Sequence, residues 1–249
     1  MIHPTAIIAP GATVADDVHI GPFCQVGPDA VIGSGARLEA HVILEGPVTL
    51  EENVRLFSFV KIGNGRCPVR VGARTFVREF CQIGTQSDAD APVAIAQDNF
   101  IMAYVQLFPG VTLGSNCVLT NAVTLHENAG CEERVIIGGL SSVAAGCTVG
   151  TGVMVGGASN LRKDVPPFCL VEGNPASVRG LNIIGLRRRF PDKIDIESVK
   201  NSFKKLYRTF DRHAAAALAQ TLQNPQAKRF ADFVAEHRCD TEKQDTLHA

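Results

Sequence analysis

An apolar residue occupies almost every sixth position of this chain over its first 161 residues. Apolar residues recur with a period of 3.6 in an amphipathic helix and of two in a half-buried strand, so a six-residue period indicates neither. A solenoid of hexapeptide repeats does produce it. The repeat positions are Ile2, Ile8, Val14, Ile20, Val26, Ile32, Leu38, Leu44, Leu50, Leu56, Ile62, Val71, Val77, Ile83, Ile95, Ile101, Leu107, Leu113, Leu119, Leu125, Cys131, Ile137, Val143, Val149, Val155 and Leu161.

Small residues recur inside each hexad as well. Compact side chains such as Ala30, Ala36 and Val42 stand four positions after a repeat residue, and glycine often follows the repeat residue directly. Because glycine adopts positive φ without a steric penalty, we expect these glycines to form the corners. Three hexads then make one triangular coil, and stacked coils bury the aliphatic positions in a continuous core. The glycines are Gly21, Gly27, Gly33, Gly63, Gly72, Gly84, Gly114, Gly138, Gly150 and Gly156.

The repeat is interrupted twice and then ends. The step from Ile62 to Val71 is a slip in phase, and the polar segment 85–92 predicts a loop that projects from the solenoid. Two prolines close the repeats at 166–167. We therefore predict a solenoid domain at 1–167 and a C-terminal helical domain at 168–249, with a short extended piece at 168–175.

Composition narrows the class of protein. The chain has 249 residues and a net charge of −1, so no basic field indicates binding to nucleic acid or to membrane lipid. No apolar stretch is long enough to span a bilayer and no signal-peptide pattern begins the chain, which predicts a cytoplasmic location. Five of the eight cysteines occupy core positions of the repeat, namely Cys24, Cys81, Cys117, Cys131 and Cys147, and none of the eight has a metal-ligand spacing, so we expect free buried thiols and no metal site.

Five segments resemble the bacterial UDP-N-acetylglucosamine acyltransferases that begin lipid A synthesis. They are HPTAIIAPGATV at 3–14, HIGPFCQVGP at 19–28, VMVGGASN at 153–160, KDVPPF at 163–168 and GNPASVRGLNIIGLRRR at 173–189. The resemblance covers nearly the whole chain. It implies a mainly β fold, a left-handed parallel β-helix followed by an α-helical domain, assembled as a homotrimer. It also implies transfer of a hydroxyacyl group from acyl carrier protein to a hydroxyl of a UDP-aminosugar, without a cofactor.

The family's catalytic segment is where this chain departs from the resemblance. In the family the segment is approximately D-N-x-x-M-x-x-x-H-x-x-H-D-C-x-x-G, and here residues 98–114 are DNFIMAYVQLFPGVTLG. The two histidine positions hold Gln106 and Pro109, and the aspartate position holds Gly110. Proline has no side-chain proton acceptor and glutamine is not a useful base near pH 7, so the general base of the family mechanism is missing.

Other positions of the implied pocket differ too. A family His-Gln pair is here Ala144-Ala145, and a family Gly-His is Glu127-Asn128. His126 and Glu127 are candidates for a replacement base, although adjacent residues of a strand point to opposite sides. The alternative for His126 is an ordinary surface histidine.

The resemblance also implies substrate-binding positions in this chain. It places nucleotide contacts at Asn182 and Arg188, while Ile184 replaces the acid of the family's N-I-E. It places the acyl chain at Gly156 and Gly157, where the alternative is a repeat corner that needs glycine in any case.

The densest basic cluster follows the solenoid. It indicates docking of an acidic partner such as acyl carrier protein, and the alternative is a solvated helix face. Nucleic acid is disfavoured because no aromatic residues are interleaved. The residues proposed for partner binding are Arg187, Arg188, Arg189, Lys204 and Lys205.

Three functional hypotheses follow. The first is a non-catalytic member that binds acyl carrier protein or an enzyme of the lipid A pathway, alone or in mixed trimers. The second is an active acyltransferase with a rebuilt site, in which His126 or Glu127 moves the proton and the acceptor is a UDP-aminosugar or another compound. The third, acetyl transfer from acetyl-CoA, is disfavoured because such enzymes usually rely on a histidine as well.

Overall fold

The computed structural model describes residues 1–85, 89–190, 192–207 and 210–239, so part of the predicted loop at 85–92 lies outside the described residues. Short strands succeed one another along the solenoid. In chain order they are β1 (Ile7–Ile8), β2 (Thr13–Val14), β3 (His19–Ile20), β4 (Gln25–Val26), β5 (Val31–Ile32), β6 (Arg37–Leu38), β7 (Ile43–Leu44), β8 (Val48–Leu50), β9 (Arg55–Leu56), β10 (Lys61–Ile62), β11 (Val69–Val71), β12 (Phe76–Val77), β13 (Gln82–Ile83), β14 (Val93–Ile95), β15 (Phe100–Ile101), β16 (Gln106–Leu107), β17 (Thr112–Leu113), β18 (Val118–Leu119), β19 (Thr124–Leu125), β20 (Gly130–Cys131), β21 (Ile136–Ile137), β22 (Ser142–Val143), β23 (Thr148–Val149), β24 (Met154–Val155), β25 (Asn160–Leu161), β26 (Cys169–Gly173) and β27 (Ala176–Leu181).

Within the described residues these strands form three faces of a parallel β-solenoid. Sheet I takes every third strand from β1 to β25, sheet II every third strand from β2 to β23, and sheet III every third strand from β3 to β24. Sheet III ends with β26 and with β27, which is antiparallel to β26. The corners between faces are named here by the sheets they join, in chain direction: corner I–II, corner II–III and corner III–I. The predicted hexapeptide solenoid is confirmed.

Both interruptions of the repeat leave from corner I–II. Ile62 pairs with Ile83 and Ile83 pairs with Leu107, whereas uninterrupted coils pair residues eighteen positions apart, such as Leu107 and Leu125. The extra residues lie between β10 and β11 and between β13 and β14, and both connections run from sheet I to sheet II. The parallel ladder therefore continues unbroken on all three faces, because the corner absorbs the added chain.

The repeat residues form the core, as predicted. From Ile20 to Leu161 every one of them is buried, with Cys131 the most accessible at 4%. Full burial of such a side chain contributes about 1.5–3 kcal/mol. Ile2 is 49% exposed and Ile8 and Val14 are half-buried, because no coil lies beneath the first one. The eight cysteines are free and buried, which confirms that they act as small hydrophobic residues.

The corners use positive φ at a different place from the one predicted. Positive φ falls three positions after the repeat residue, for example at Phe59 and Phe80. The glycines that follow the repeat residue mostly have other values of φ, and Gly63 and Gly84 are exceptions. At Gly114 and Gly138 a Cβ atom would lie 2.6 Å and 2.5 Å from the backbone of the neighbouring coil. The expected positive φ is therefore wrong for these two, and close approach between coils is what requires glycine there.

The chain leaves the solenoid through a β-hairpin. Strand β27 continues the extended backbone to Leu181, beyond the short piece predicted at 168–175, because it pairs with β26 at the end of sheet III. Four helices follow in the described residues: α1 (Ile183–Arg189), α2 (Lys193–Leu206), α3 (Arg212–Thr221) and α4 (Pro225–Glu236). No helix in the described parts of the chain is long and apolar enough to cross a membrane.

Two contacts fasten the helices to the solenoid. The carboxylate of Asp164 accepts hydrogen bonds from the backbone N–H of Thr148 (2.6 Å) and of Arg238 (2.8 Å). The hydroxyl of Tyr207 donates to the carbonyl of Val178 in β27 (3.1 Å). The end of the described chain therefore lies against the last coils at corner I–II.

Candidate functional site

Gln106, Pro109 and Gly110 lie at corner I–II and in the strand that leads into it. Gln106 is on β16 with its side chain exposed on the outer face of sheet I, while Pro109 is buried in the turn that follows. Gly110 has a φ of +79°, and a Cβ there would lie 2.1 Å from the side-chain oxygen of Asn128 on the next coil. The turn is therefore packed closely against its neighbour and presents no acid or base from these three positions.

The outer face of sheet I beside this turn is polar but largely uncharged. The register places Gln106 between Gln82 and Thr124. The row continues through Ser142, whose hydroxyl donates to the amide oxygen of Asn160 (3.2 Å). Amides and hydroxyls can hydrogen-bond a ligand, but they do not accept a proton near pH 7. From Gln82 to Asn160 the strand residues of this face therefore offer binding groups rather than a general base.

His126 and Glu127 lie one coil above Phe108 and Pro109 at the same corner. The ring of His126 packs against that of Phe108, with centroids 5.1 Å apart and planes inclined at 42°. Neither the His126 nor the Glu127 side chain has a hydrogen bond or ion pair among the described residues. The two side chains are half-buried and do not pair with each other, in keeping with the predicted geometry. A base at His126 would thus act without a carboxylate that orients its ring.

Gly156 and Gly157 lie at corner III–I after β24. Neither has positive φ, and in this turn Ala158 adopts it instead, with φ of +54°. A Cβ on Gly156 would lie 3.0 Å from the Cβ of Glu172, and one on Gly157 would lie 3.4 Å from the carbonyl oxygen of Gly139. Packing against neighbouring chain therefore limits the size of both residues, whether or not a ligand passes this corner.

Asn182 has a structural task at the start of α1. Its side-chain oxygen accepts from the N–H of Gly185 (2.9 Å), which caps the helix. Its side-chain nitrogen donates to the carbonyl of Gly152 in the solenoid (3.2 Å). Both polar groups of the predicted nucleotide contact are thus engaged within the chain, and they set the position of α1.

The three arginines at the end of α1 have different environments. Arg187 and Arg188 are exposed. Arg189 is folded inward, with 18% of its side chain exposed, and it pairs with Glu133 of the solenoid at 2.7 Å. Arg229 of α4 pairs with the same carboxylate at 3.0 Å. Arg189 therefore joins the helices to the solenoid, and we remove it from the predicted partner-binding set.

A basic cavity of about 340 Å³ opens between α1 and α2. Its floor contains Phe190 and Ile196, both buried, and its rim carries Arg187, Lys193 and Lys200, the last paired with Glu197 at 2.6 Å. Lys204 and Lys205 are exposed farther along α2. The predicted basic cluster thus includes a concave, partly apolar surface as well as exposed cationic side chains.

A second cavity lies at the upper end of corner I–II and was not predicted. It measures about 330 Å³ and is lined by Ala145, Gly146, Cys147, Arg162, Lys163, Asp164 and Arg238. Lys163 and Asp164 begin the KDVPPF match and Arg162 immediately precedes it, while Ala145 belongs to the pair that stands at the family's His-Gln position. Arg238 carries no sequence signal, because it reaches the corner only through the folding of α4.

Both parts of this fold match those of known proteins. Residues 164–240 match the family model described as UDP-N-acetylglucosamine O-acyltransferase, domain 2, and residues 11–46 match the bacterial transferase hexapeptide model. The acyl-[acyl-carrier-protein]–UDP-N-acetylglucosamine O-acyltransferase of Aliarcobacter butzleri is 35% identical over 195 residues, which cover 74% of this chain and 75% of the relative. The enzyme of the same name from Campylobacter concisus is 33% identical over 199 residues, covering 74% and 75%. The solved UDP-N-acetylglucosamine acyltransferase of Campylobacter jejuni superposes with a TM-score of 0.90 at 33% identity, covering 98% of this chain and 100% of that one.

Proposed function

Because this chain belongs to the acyl-[acyl-carrier-protein]–UDP-N-acetylglucosamine O-acyltransferase family, we propose that it is a non-catalytic member that acts by binding within the lipid A pathway. Its partner would be acyl carrier protein or an enzyme of that pathway. We also propose a homotrimer, and a cytoplasmic location that suits eight free thiols.

The observation that carries this proposal is Pro109. It occupies the position where the resemblance places the general base, and it is buried in a turn that is closely packed against Asn128 through Gly110. Loss of a general base alone typically lowers the rate by about 10²–10⁴-fold. Gln106 and the uncharged row on sheet I supply no replacement. The fold is thus retained, while Gln106, Pro109 and Gly110 offer no general base, which supports the proposal.

Retained binding is supported by the helical region. Arg187, Arg188, Lys204 and Lys205 are exposed, and the cavity between α1 and α2 combines an apolar floor with a cationic rim. An acidic protein that carries an apolar group would match both features, since opposite charge steers association and the floor offers apolar contact. Acyl carrier protein has the required chemistry.

The second candidate is an acyltransferase with a rebuilt site. The half-buried His126 beside Phe108, directly above the turn of Pro109, favours it, because an imidazole is the side chain best suited to proton transfer near pH 7. Glu127, on the coil above Pro109, is the other residue that could act as the base in such an enzyme.

One assay separates the two candidates. The purified protein is incubated with hydroxyacyl-[acyl carrier protein] and UDP-N-acetylglucosamine, and the acylated sugar nucleotide is measured against a no-protein blank. We expect no product above the blank, together with binding of acyl carrier protein that R187A/R188A weakens. Turnover that H126A abolishes, and that the matched control H19A retains, would establish the second candidate and overturn the first.

A further inference from the structure

The cavity between α1 and α2 is formed by one side of each helix. Its α2 residues recur at steps of three and four, so they share one helix face: Lys193, Ile196, Glu197 and Lys200. Arg187 and Phe190, three positions apart at the end of α1, line the opposite side. None of these residues belongs to the turn of Pro109 or to the uncharged row on sheet I. The cavity is therefore a separate site on the helical domain.

The apolar floor of this cavity is fixed by the side chains beneath it. They form a small core, distinct from the main one, that consists of Phe168, Leu186, Phe190, Ile196 and Val199. Phe190 packs edge-on against Phe168, with ring centroids 5.9 Å apart and planes inclined at 81°. The guanidinium of Arg189 lies 5.3 Å from the centroid of the same Phe190 ring. A ligand would thus meet a floor that is already formed, which lowers the cost of ordering it.

The acidic group of the rim is already paired. Glu197 is the only carboxylate among the described residues that line the cavity, and Lys200 lies 2.6 Å from it. The hydrogen bond and the charge of Lys200 lower the pKa of Glu197 below its usual 4.5. Glu197 is therefore ionised near neutral pH and is neutralised within its own helix.

Two cations of the rim have no such partner. Arg187 and Lys193 are exposed, and neither has an ion pair among the residues that the structure describes. The acids that flank Lys193 in sequence are engaged elsewhere, because Asp192 caps α2 and Asp195 accepts from the side-chain amide of Asn224 (2.6 Å). An anion at the rim would therefore meet two cations without displacing an existing pair.

We propose that this cavity binds a small amphipathic anion, a carboxylate on a short alkyl chain. The carboxylate pairs with Arg187 and Lys193, and the chain covers Phe190 and Ile196. The volume of about 340 Å³ falls in the range of small-molecule sites. The inference rests on the proposed function in one respect, since it adds a ligand to the surface assigned there to acyl carrier protein.

Calorimetric titration of the full chain with octanoate tests the site. We expect saturable binding at one site per chain, about fivefold weaker in R187Q and in K193Q, and weaker still at higher salt. Both side chains are exposed, so glutamine at these positions leaves no hole in the core. R37Q removes an exposed arginine on sheet III and is the matched control, which should bind like the parent. No saturable binding at millimolar octanoate, or equal affinity in all three variants, would overturn the proposal.

Two further ligands test the two halves of the proposed anion. Butyrate should bind at least about tenfold more weakly than octanoate, because its shorter chain covers less of the floor. Octyl glucoside has the same alkyl chain without a charge, and it should also bind more weakly because it offers no anion to Arg187 and Lys193. Equal affinity for octanoate and octyl glucoside would mean apolar adhesion alone and would refute a site for an anion.

NMR spectra of the isoleucine methyl groups in the unmodified chain guard against misfolded variants. Octanoate should shift the signals of Ile196, assigned with I196V. It should leave those of Ile184 unchanged, because Ile184 is 66% exposed and lies outside the cavity. Unchanged Ile196 signals at saturating octanoate would place the ligand elsewhere and overturn the proposal.

The ligand and the proposed function fail separately, because octanoate is titrated without acyl carrier protein. Absence of octanoate binding, with acyl carrier protein still bound, would overturn the ligand and leave the proposed partner in place. Turnover in the acyl-transfer assay would overturn the proposed function and leave the octanoate titration as the test of this cavity.

Discussion

Phe59 and Phe80 stack with their ring centroids 5.0 Å apart and their planes 2° from parallel. Each lies at corner III–I with positive φ, one coil from the other. The stack extends from Phe23 through His41 to Tyr104, with centroid spacings of 4.9–5.1 Å. This aromatic stack forms because each coil places a residue with positive φ at corner III–I. Rings on neighbouring coils therefore lie face to face, one coil spacing apart.

The aromatic stack contributes to stability through the contacts between neighbouring rings. F59A should lower the free energy of unfolding by about 1–3 kcal/mol, since it removes two ring contacts of about 0.5–1.5 kcal/mol each. F59G should be less destabilising than F59A, because φ at this position is +66° and glycine adopts it without strain. Urea unfolding of both variants measures the difference in their stability. If F59G is less stable than F59A, the backbone at position 59 is not strained by its positive φ.

The glycines after the repeat residues are required by close approach. G114A should lower the free energy of unfolding by about 3 kcal/mol, because its Cβ would lie 2.6 Å from the backbone of Glu132. G146A is the control: its φ is +70° but its Cβ would meet nothing within 4 Å, so about 1 kcal/mol is expected. Urea unfolding of both variants measures the two losses. A larger loss of stability in G146A than in G114A would refute close approach as the reason for glycine at position 114.

Replacing Arg189 and replacing the adjacent Arg188 should have different effects on stability. R189A removes the ion pair to Glu133 and the contact with the Phe190 ring at 5.3 Å, so about 2 kcal/mol of stability should be lost. R188A should change stability by no more than about 0.5 kcal/mol, because the Arg188 side chain is exposed and makes no such contacts with the residues that the structure describes. Thermal unfolding at one pH compares them. Equal losses would show that Arg189 does not fasten the helices.

Acid should weaken the link between helices and solenoid. Partial burial acts to raise the pKa of Glu133, but hydrogen bonds and charge from Arg189 and Arg229 outweigh it and leave the pKa below its usual 4.5. A carboxylate whose pKa is lowered by folding stabilises the native state above its unfolded pKa, and that contribution is lost as pH falls through the folded pKa. The stability difference between the parent chain and E133Q should therefore be constant above about pH 5 and shrink below pH 4.5. A difference that grows on acidification would contradict this.

The sequence predicts the solenoid and its core positions more accurately than it predicts what the residues at the corners do. The hexad determines which residues enter the core, so Leu107 and Leu125 are paired in the structure as the period requires. The sequence predicts a positive-φ corner at Gly138, whereas glycine is required there because a Cβ would meet the backbone of Gly157 on another coil. The sequence predicts a nucleotide contact at Asn182 and a partner contact at Arg189, and the structure shows that each side chain bonds to the solenoid.

The six-residue period by itself determined the fold and its buried positions, since that information is local and repeats along the chain. The tertiary structure alone decided which polar groups face one another. Arg162 and Arg238 line the same cavity although they are 76 positions apart in the sequence, because Asp164 holds the end of the described chain against the last coils. No spacing in a sequence records such a contact, since it depends on where separate elements finally pack.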